Sequence, residues 1–431
     1  MQYFSTNRKS PCASFREAAL KGQPDDRGLY FPETIPKVSA EFIEGLSDRS
    51  NTEIAFEVLR PYAEESIPAE KLYEICAETV NFAFPLVEIS DRISSLELFH
   101  GPTLAFKDVG ARFMSRCLKY FSQEVSKKTI VVVATSGDTG GAVAAGFHDV
   151  NGVEVVILYP RGKVSDVQER QLTTLGGNVT ALEVDGVFDD CQALAKTALA
   201  DNDIASRVQL TSANSINIAR WLPQQIYYFY ALKQWQHPDP PVISVPSGNF
   251  GNLASGVLAH AAGLPVKKFL AACNANDVVP RYLKSGAFEP KPAVETLSNA
   301  MDVGDPSNFI RILEILGNDR AKLAKDLEAV SVSDEQTSDT IRVVFDQCGY
   351  TLDPHGAVGY RALADRLDGH PNERGIFLET AHPIKFDSVS KILGVAPDQP
   401  DTIRDLFLRE KKSIKINADY AILKDLLMSK I

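Results

Sequence analysis

An α/β fold, a parallel sheet flanked by helices, is predicted by three features of this 431-residue chain. Short apolar runs recur, each is followed by a turn carrying glycine, proline or asparagine, and a longer amphipathic segment comes next. Clear instances are Ile130–Ala134 before Thr135–Gly141, Val155–Tyr159 before Pro160–Lys163, Val242–Val245 before Pro246–Asn252, and Phe269–Cys273 before Asn274–Asp277. Gly375–Leu378 before Glu379–Pro383 is a later one. The most β-branched of these runs have the composition of strands buried on both faces. Ahead of this pattern, residues 1–85 read as an N-terminal, mainly helical domain: Ile54, Val58, Leu59 and Tyr62 share one helical face, and Leu72, Ile75, Cys76 and Val80 another. Residues 286–346 are charged and read as a helical insertion into the βα pattern.

Composition narrows the function. An apolar content of 44% over this length supports two or three domains with cores of their own, and excludes disorder, collagen and coiled coil. The net charge of −11 repels nucleic-acid phosphates and anionic lipid at long range. A small-molecule partner is therefore expected, with no nucleic acid and no membrane, and any anionic ligand needs a local basic pocket. The longest apolar runs span about five residues against the roughly 20 of a membrane-crossing helix. Six cysteines (Cys12, Cys76, Cys117, Cys191, Cys273 and Cys348) lie far apart, and Met1–Ser5 shows no charged-then-apolar leader, so the cytoplasm is the expected compartment. No His-x-x-x-His spacing occurs, no metal is expected, and His100, His355 and His382 read as packing or hydrogen-bonding residues. Trp221, Tyr227, Tyr228 and Tyr230 read as ordinary core and helix-surface material.

Two strand-to-helix turns contain paired glycines, Thr135-Ser136-Gly137-Asp138-Thr139-Gly140-Gly141 and Ser247-Gly248-Asn249-Phe250-Gly251-Asn252. In such turns unpaired helix-N-terminal amides converge on an anion, and the helix dipole adds favourable potential. For one turn alone, glycines that merely permit a tight βα turn account for the pattern equally well; two in one chain point to anion binding. Neither is Gly-x-x-x-x-Gly-Lys-Ser/Thr, which disfavours an ATP loop. Neither is Gly-x-Gly-x-x-Gly, and the strand after the first ends at Tyr159-Pro160-Arg161 without an acidic ribose partner; an NADP reading rests on Arg161 alone. Upstream, Lys107 follows Leu104-Ala105-Phe106. A lysine in apolar surroundings has a lowered pKa and becomes a nucleophile toward an aldehyde. Lysine, phosphate cradle and missing nucleotide motifs together suggest pyridoxal phosphate bound as a Schiff base.

These residues resemble the threonine synthase family of the bacterial and fungal type, in the tryptophan-synthase-β fold group of pyridoxal-phosphate enzymes. The resemblance runs through Gly28-Leu29-Tyr30-Phe31-Pro32, His100–Asp108, Thr135–Gly140, Tyr159–Lys163, Asn214–Asn217, Ser247–Gly251, Ser298–Val303 and Thr380–Pro383. It implies two parallel-sheet α/β lobes of the fold type II kind beside the N-terminal domain. The larger cofactor lobe would comprise 86–110 and 214–431, and the smaller 111–213. It also implies a monomer that converts O-phospho-L-homoserine and water to L-threonine and phosphate.

Carried over by position, Lys107 would be the Schiff-base lysine and general base, and Gly248, Asn249, Phe250, Gly251 and Asn252 would cradle the cofactor phosphate. Thr380 would face the pyridine nitrogen. Thr135, Ser136, Gly137, Asp138 and Thr139 would embrace the amino-acid part of the substrate. Asn214, Ser215 and Arg220, with Lys163 and Arg161 as further candidates, would hold the substrate phosphate. Rival readings are a pyridoxal-phosphate dehydratase or phospho-lyase acting on a related amino acid, a binding protein without catalysis, and an NADP oxidoreductase. A dehydratase for unphosphorylated serine or threonine has no use for the second anion site.

Overall fold

The structure, a computed structural model, describes residues 1–123 and 127–430. Its strands in chain order are β1 Tyr3–Ser5, β2 Tyr30–Pro32, β3 Leu86–Ser90, β4 Ile93–Glu97, β5 Thr129–Ala134, β6 Val153–Pro160 and β7 Val179–Asp185. They continue as β8 Gln209–Ser212, β9 Val242–Pro246, β10 Lys268–Cys273, β11 Leu327–Ser331, β12 Gly375–Glu379 and β13 Ser413–Asn417. Apart from the small β1–β2 pair they form two sheets, ordered β11-β10-β9-β12-β4-β3 and β13-β7-β6-β5-β8. All pairings within these two sheets are parallel except β3 with β4. Every apolar run singled out in the sequence is a strand of one sheet or the other. Buried Val131, Val133, Val155 and Ile157 face one core and Ile130, Val132, Val156 and Leu158 another, as a sheet covered on both faces requires.

The expected N-terminal helices form as Asn51–Ala63 and Ala69–Thr79, and both assigned apolar faces are buried. Ser50 and Glu53 close a capping box that fixes the start of the first.

Two segments differ from the expected organisation, for one physical reason. Within 286–346 the chain is helical at Phe309–Ile315, Arg320–Asp326 and Asp334–Cys348, yet it also contributes β11, which pairs with β10 from Phe269↔Leu327 to Cys273↔Ser331. Near the C-terminus, β13 pairs with β7 in the smaller sheet, and Leu423 and Leu427 of the helix Tyr420–Met428 join the core of that lobe. The segment 413–430 thus belongs to the smaller lobe, not to the larger one expected from the sequence. Both strands lie at sheet edges and mix polar with apolar residues, leaving Val330 and Ile414 exposed, so neither carries the unbroken apolar run of a central strand.

Because the strands run parallel, their C-terminal ends gather along one edge of each sheet, where loops of an open α/β fold form ligand sites. Glu97, Pro246 and Glu379 end β4, β9 and β12; Ala134, Pro160 and Ser212 end β5, β6 and β8. The motifs His100–Asp108, Thr135–Gly141, Asn214–Asn217, Ser247–Asn252 and Thr380–Pro383 begin one to three residues after these ends.

Candidate active site

The loops at these strand ends enclose a cleft of about 2590 Å³. Its lining includes Lys107, Thr135, Ser136, Asp138, Thr139, Lys163, Asn214, Ser215, Arg220, Thr380 and every residue from Gly248 to Asn252. The expected site residues thus converge, with two exceptions. Gly137 is set back from the cleft wall: at φ 139° it packs on Gln168, whose side-chain carbon a Cβ would approach to 2.4 Å. Arg161 is turned away, with Nε 3.5 Å from Glu183 Oε1, and does not line the cleft.

Lys107 is the first residue of the helix Lys107–Ser122. The loop before it is stitched to the end of β12: Phe106 N–H donates to Thr380 O at 2.8 Å and His382 N–H to Leu104 O at 3.0 Å. Asp108 braces the same loop from inside, accepting from Thr103 N–H at 2.9 Å and Thr103 Oγ1 at 2.6 Å. Tyr227 adds a hydroxyl bond to Phe106 O. The Lys107 amine makes no hydrogen bond to protein among the described residues. Burial, reinforced by the Lys385 and Arg220 charges and opposed by Asp138, lowers its pKa from 10.5 to about 8. Capture of pyridoxal phosphate by the cofactor-free protein should therefore speed up with pH around a midpoint near 8. At pH 7.5 a pKa near 8 leaves about a quarter of the amine neutral, against roughly 0.1% for an ordinary lysine. Stopped-flow absorbance across pH 6.5–10 measures this. A rate still rising in proportion to hydroxide at pH 10 would show an unperturbed lysine.

The turn after β9 has the form of an anion cradle. The helix Gly251–Ala262 starts from Phe250 in the left-handed conformation (φ 63°), and no side chain caps its first amides. Gly248 is packed so closely that a Cβ would fall 2.4 Å from Met301 Cα. Gly248→Ala should therefore displace the turn, costing roughly 1–3 kcal/mol of stability and loosening the cofactor, measurable as a lower melting temperature and a raised Kd for pyridoxal phosphate. Tyr228 OH supports the cradle from behind, with bonds to Asn252 O at 2.9 Å and Asn252 Oδ1 at 2.8 Å.

The turn after β5 is shaped by Thr135, whose hydroxyl accepts from Gly137 N–H and Gly140 N–H, each at 2.9 Å. Ser136 and Thr139 line the cleft, and their hydroxyls have no protein partner among the described residues. Asp138 would repel a substrate carboxylate, but Lys385 Nζ lies 2.8 Å from its Oδ1, both groups being buried. Burial alone would raise the Asp138 carboxyl; the Lys385 and Lys107 charges, with hydrogen bonds from Lys385 and Gln168, outweigh it and hold the group well below the usual carboxylate range.

On the opposite wall Arg220 is 3% exposed, and its Nε and Nη1 have no hydrogen-bond partner. Asn217 caps its short helix through Ala219 N–H at 2.9 Å, and the closely packed Gly110 lets the helix Lys107–Ser122 approach it. Burial lowers the guanidinium to about 10, which still leaves it charged at neutral pH. A buried, unpaired guanidinium lining a cleft calls for an anion. Asn214 lines the cleft too, but its Nδ2 already donates to Ala134 O at 2.9 Å and its Oδ1 accepts from Ser212 Oγ at 3.2 Å. Lys163 stands at the exposed rim, 3.3 Å from Glu295 Oε1.

Behind Thr380 lies a polar cluster of which only His355, as a hydrogen-bonding residue, stands out in the sequence. Asp353 accepts from His355 N–H and faces His355 Nδ1, both at 2.6 Å, and accepts from Ala381 N–H at 3.2 Å. Its own N–H donates to Glu379 Oε1 at 2.6 Å. Burial, with the Asp353 and Glu97 charges, pushes the Glu379 carboxyl well above its ordinary value. His100 and His382 take structural roles: His100 Nε2 pairs with Glu97 Oε2 at 2.7 Å, and His382 Nδ1 accepts Ile384 N–H at 3.2 Å.

An amine of lowered pKa, an uncapped glycine turn and a buried, unpaired cation line one α/β cleft, as a pyridoxal-phosphate enzyme requires, and residues 95–378 match the family model described as "Pyridoxal-phosphate dependent enzyme". Residues 2–80 match "Threonine synthase N terminus", and 356–427 match "Threonine synthase, C-terminal". The chain is 43% identical over 432 residues to threonine synthase of Escherichia coli, covering 100% of both chains. The crystal structure of the Escherichia coli protein superposes with a TM-score of 0.93 at 42% identity, again over 100% of both. A pyridoxal-phosphate-bound threonine synthase from Brucella melitensis gives a TM-score of 0.93 at 35% identity over 100% of this chain and 99% of that one. The chain belongs to the threonine synthase family. It is a pyridoxal-phosphate-dependent lyase of threonine biosynthesis. No helix among the described residues is long and apolar enough to cross a membrane.

Proposed function

We propose that this chain converts O-phospho-L-homoserine and water to L-threonine and phosphate, with Lys107 as the lysine that bonds the cofactor and moves the substrate's protons. The observation that carries the substrate assignment is Arg220, a buried guanidinium with two unpartnered nitrogens, which lines the same cleft as the Gly248–Asn252 cradle but comes from another element, the short helix Ile218–Trp221. One phosphate cradle serves the cofactor; the second is explained by a substrate with a phosphate of its own.

The cofactor, when bound, supplies an aldehyde for the lysine amine and an electron-accepting ring that acidifies neighbouring C–H bonds. The Gly248–Asn252 amides hold its phosphate, and the Thr380 hydroxyl, without a protein partner among the described residues, faces the ring nitrogen. Ser136 and Thr139, with backbone amides of their turn, bind the substrate's α-carboxylate, while Lys385 neutralises Asp138 beside it. Arg220 orients the phosphate for departure from Cγ. Lys107 Nζ, displaced by the substrate amine, takes protons from Cα and then Cβ, returns one to Cγ once phosphate has left, and returns the other to Cα after water adds at Cβ. All six cysteines are free, as suits the cytoplasm proposed here for the enzyme, which we take to act as a monomer.

Turnover of O-phospho-L-homoserine, L-homoserine and L-serine by the holoprotein tests the substrate assignment. Threonine and phosphate should form in equal amounts from the first, with at least a hundredfold lower kcat/KM on the other two. Comparable turnover of L-serine would favour the dehydratase reading.

A further inference from the structure

Arg311, on the helix Phe309–Ile315, is wholly buried and forms no ion pair among the described residues. Its Nη1 donates to Ser215 O at 3.0 Å and Asn308 Oδ1 at 2.6 Å, and its Nη2 to Ile216 O at 2.8 Å and Tyr30 O at 3.3 Å. The guanidinium lies 4.3 Å over the Trp221 ring, and Nε has no partner. Four oxygen acceptors and an aromatic face lessen the cost of burying this cation without neutralising it. A neutral side chain could fill the space more cheaply, so the charge and its fork of donors need another explanation.

Ser215 supplies one. Its hydroxyl accepts from Asn249 Nδ2 at 2.8 Å and from Asn308 Nδ2 at 3.1 Å. A hydroxyl offers two lone pairs and one proton, so with both lone pairs engaged only the proton remains to be placed. No acceptor among the described residues takes it, and Ser215 lines the cleft. Asn249 belongs to the cofactor-phosphate turn, whereas Asn308 is held by Arg311.

We propose that Arg311 is a positioning residue for the substrate phosphate: by fixing the Ser215 and Ile216 carbonyls and Asn308, it commits the Ser215 hydroxyl to donate into the cleft toward the anion. Its unneutralised charge acts in the same direction as that of Arg220. This inference rests on the reading of a second phosphate site made above.

Inorganic phosphate is the probe, titrated calorimetrically into holoprotein whose cofactor absorbance and melting curve have been recorded. Arg311→Gln should weaken phosphate binding at least tenfold, and Arg311→Lys, which keeps the charge but not the fork, should recover part of the loss. Ser215→Ala should cost severalfold in the parent protein and almost nothing in the Arg311→Gln background, because one residue acts through the other. Equal costs of Ser215→Ala in both backgrounds, or unchanged affinity in Arg311→Gln, overturn the proposal. Should Arg311→Gln not fold, Asn308→Ala takes its place in the same cycle, where unchanged affinity or equal costs of Ser215→Ala again overturn the proposal. Arg220→Ala is the control for the underlying reading: if it leaves phosphate affinity unchanged, the second phosphate site itself is refuted. If it weakens binding while Arg311→Gln does not, only the role of Arg311 falls.

Discussion

Lys107→Ala is expected to abolish the yellow, borohydride-reducible cofactor linkage and to lower threonine formation by roughly a thousandfold or more, because the proposed mechanism gives one amine both attachment and proton transfer. The fold should survive. Lys107 is half-buried at the start of its helix and makes no hydrogen bond to protein among the described residues, while the loop before it is held by Thr380, Asp108 and Tyr227. Pyridoxal phosphate should still bind the Gly248–Asn252 cradle, with its absorbance moved to that of the free aldehyde. Peptide mapping after borohydride reduction of the parent protein should place the modification at Lys107. Modification at the nearby Lys385 instead would overturn the assignment, but that amine is committed to Asp138 at 2.8 Å and to Thr103 O at 2.8 Å.

Arg220→Ala carries the second large effect. A bidentate guanidinium–phosphate contact in a buried site is among the stronger charge-assisted interactions, and its loss should cost about 3 kcal/mol in kcat/KM for O-phospho-L-homoserine, somewhat over a hundredfold. Competition by inorganic phosphate should disappear. Residual deamination of L-serine should fall far less, and the cofactor absorbance should persist, because the cradle proposed for the cofactor phosphate is the Gly248–Asn252 turn, which does not include Arg220. An equal loss on both substrates would make Arg220 a support of fold or cofactor and move phosphate recognition toward Lys163.

The central strands and the site motifs are legible in the sequence because their signals are local. Ile130–Ala134 and Val155–Tyr159 are continuous apolar runs, and the glycine turns directly follow the strands that present them. Edge strands β11 and β13 are illegible, since each mixes polar with apolar residues and leaves an apolar side chain exposed, Val330 in one and Ile414 in the other. Lys107, Gly248–Asn252 and Arg220 can be picked out by residue type and motif. Arg311, Lys385 and the Asp353–Glu379 cluster cannot: their roles arise from contacts spanning tens to hundreds of residues, as in Lys385 with Asp138 and Arg311 with Tyr30. Tyr227 and Tyr228 read correctly as core, but their hydroxyls hold Phe106 and Asn252, and no pattern in one sequence reveals where a buried hydroxyl points. Asn214 shows the converse, a motif residue whose amide is spent on Ala134 and Ser212.

Oxygen tracing tests the central claim most directly. Holoprotein turning over O-phospho-L-homoserine in ¹⁸O-labelled water should place the label in the hydroxyl of threonine, while the released phosphate keeps the substrate's bridging oxygen unlabelled, because the C–O bond breaks and water adds to carbon. Label in the phosphate, with homoserine as the co-product, would mean that water attacks phosphorus and that the cleft works as a phosphatase.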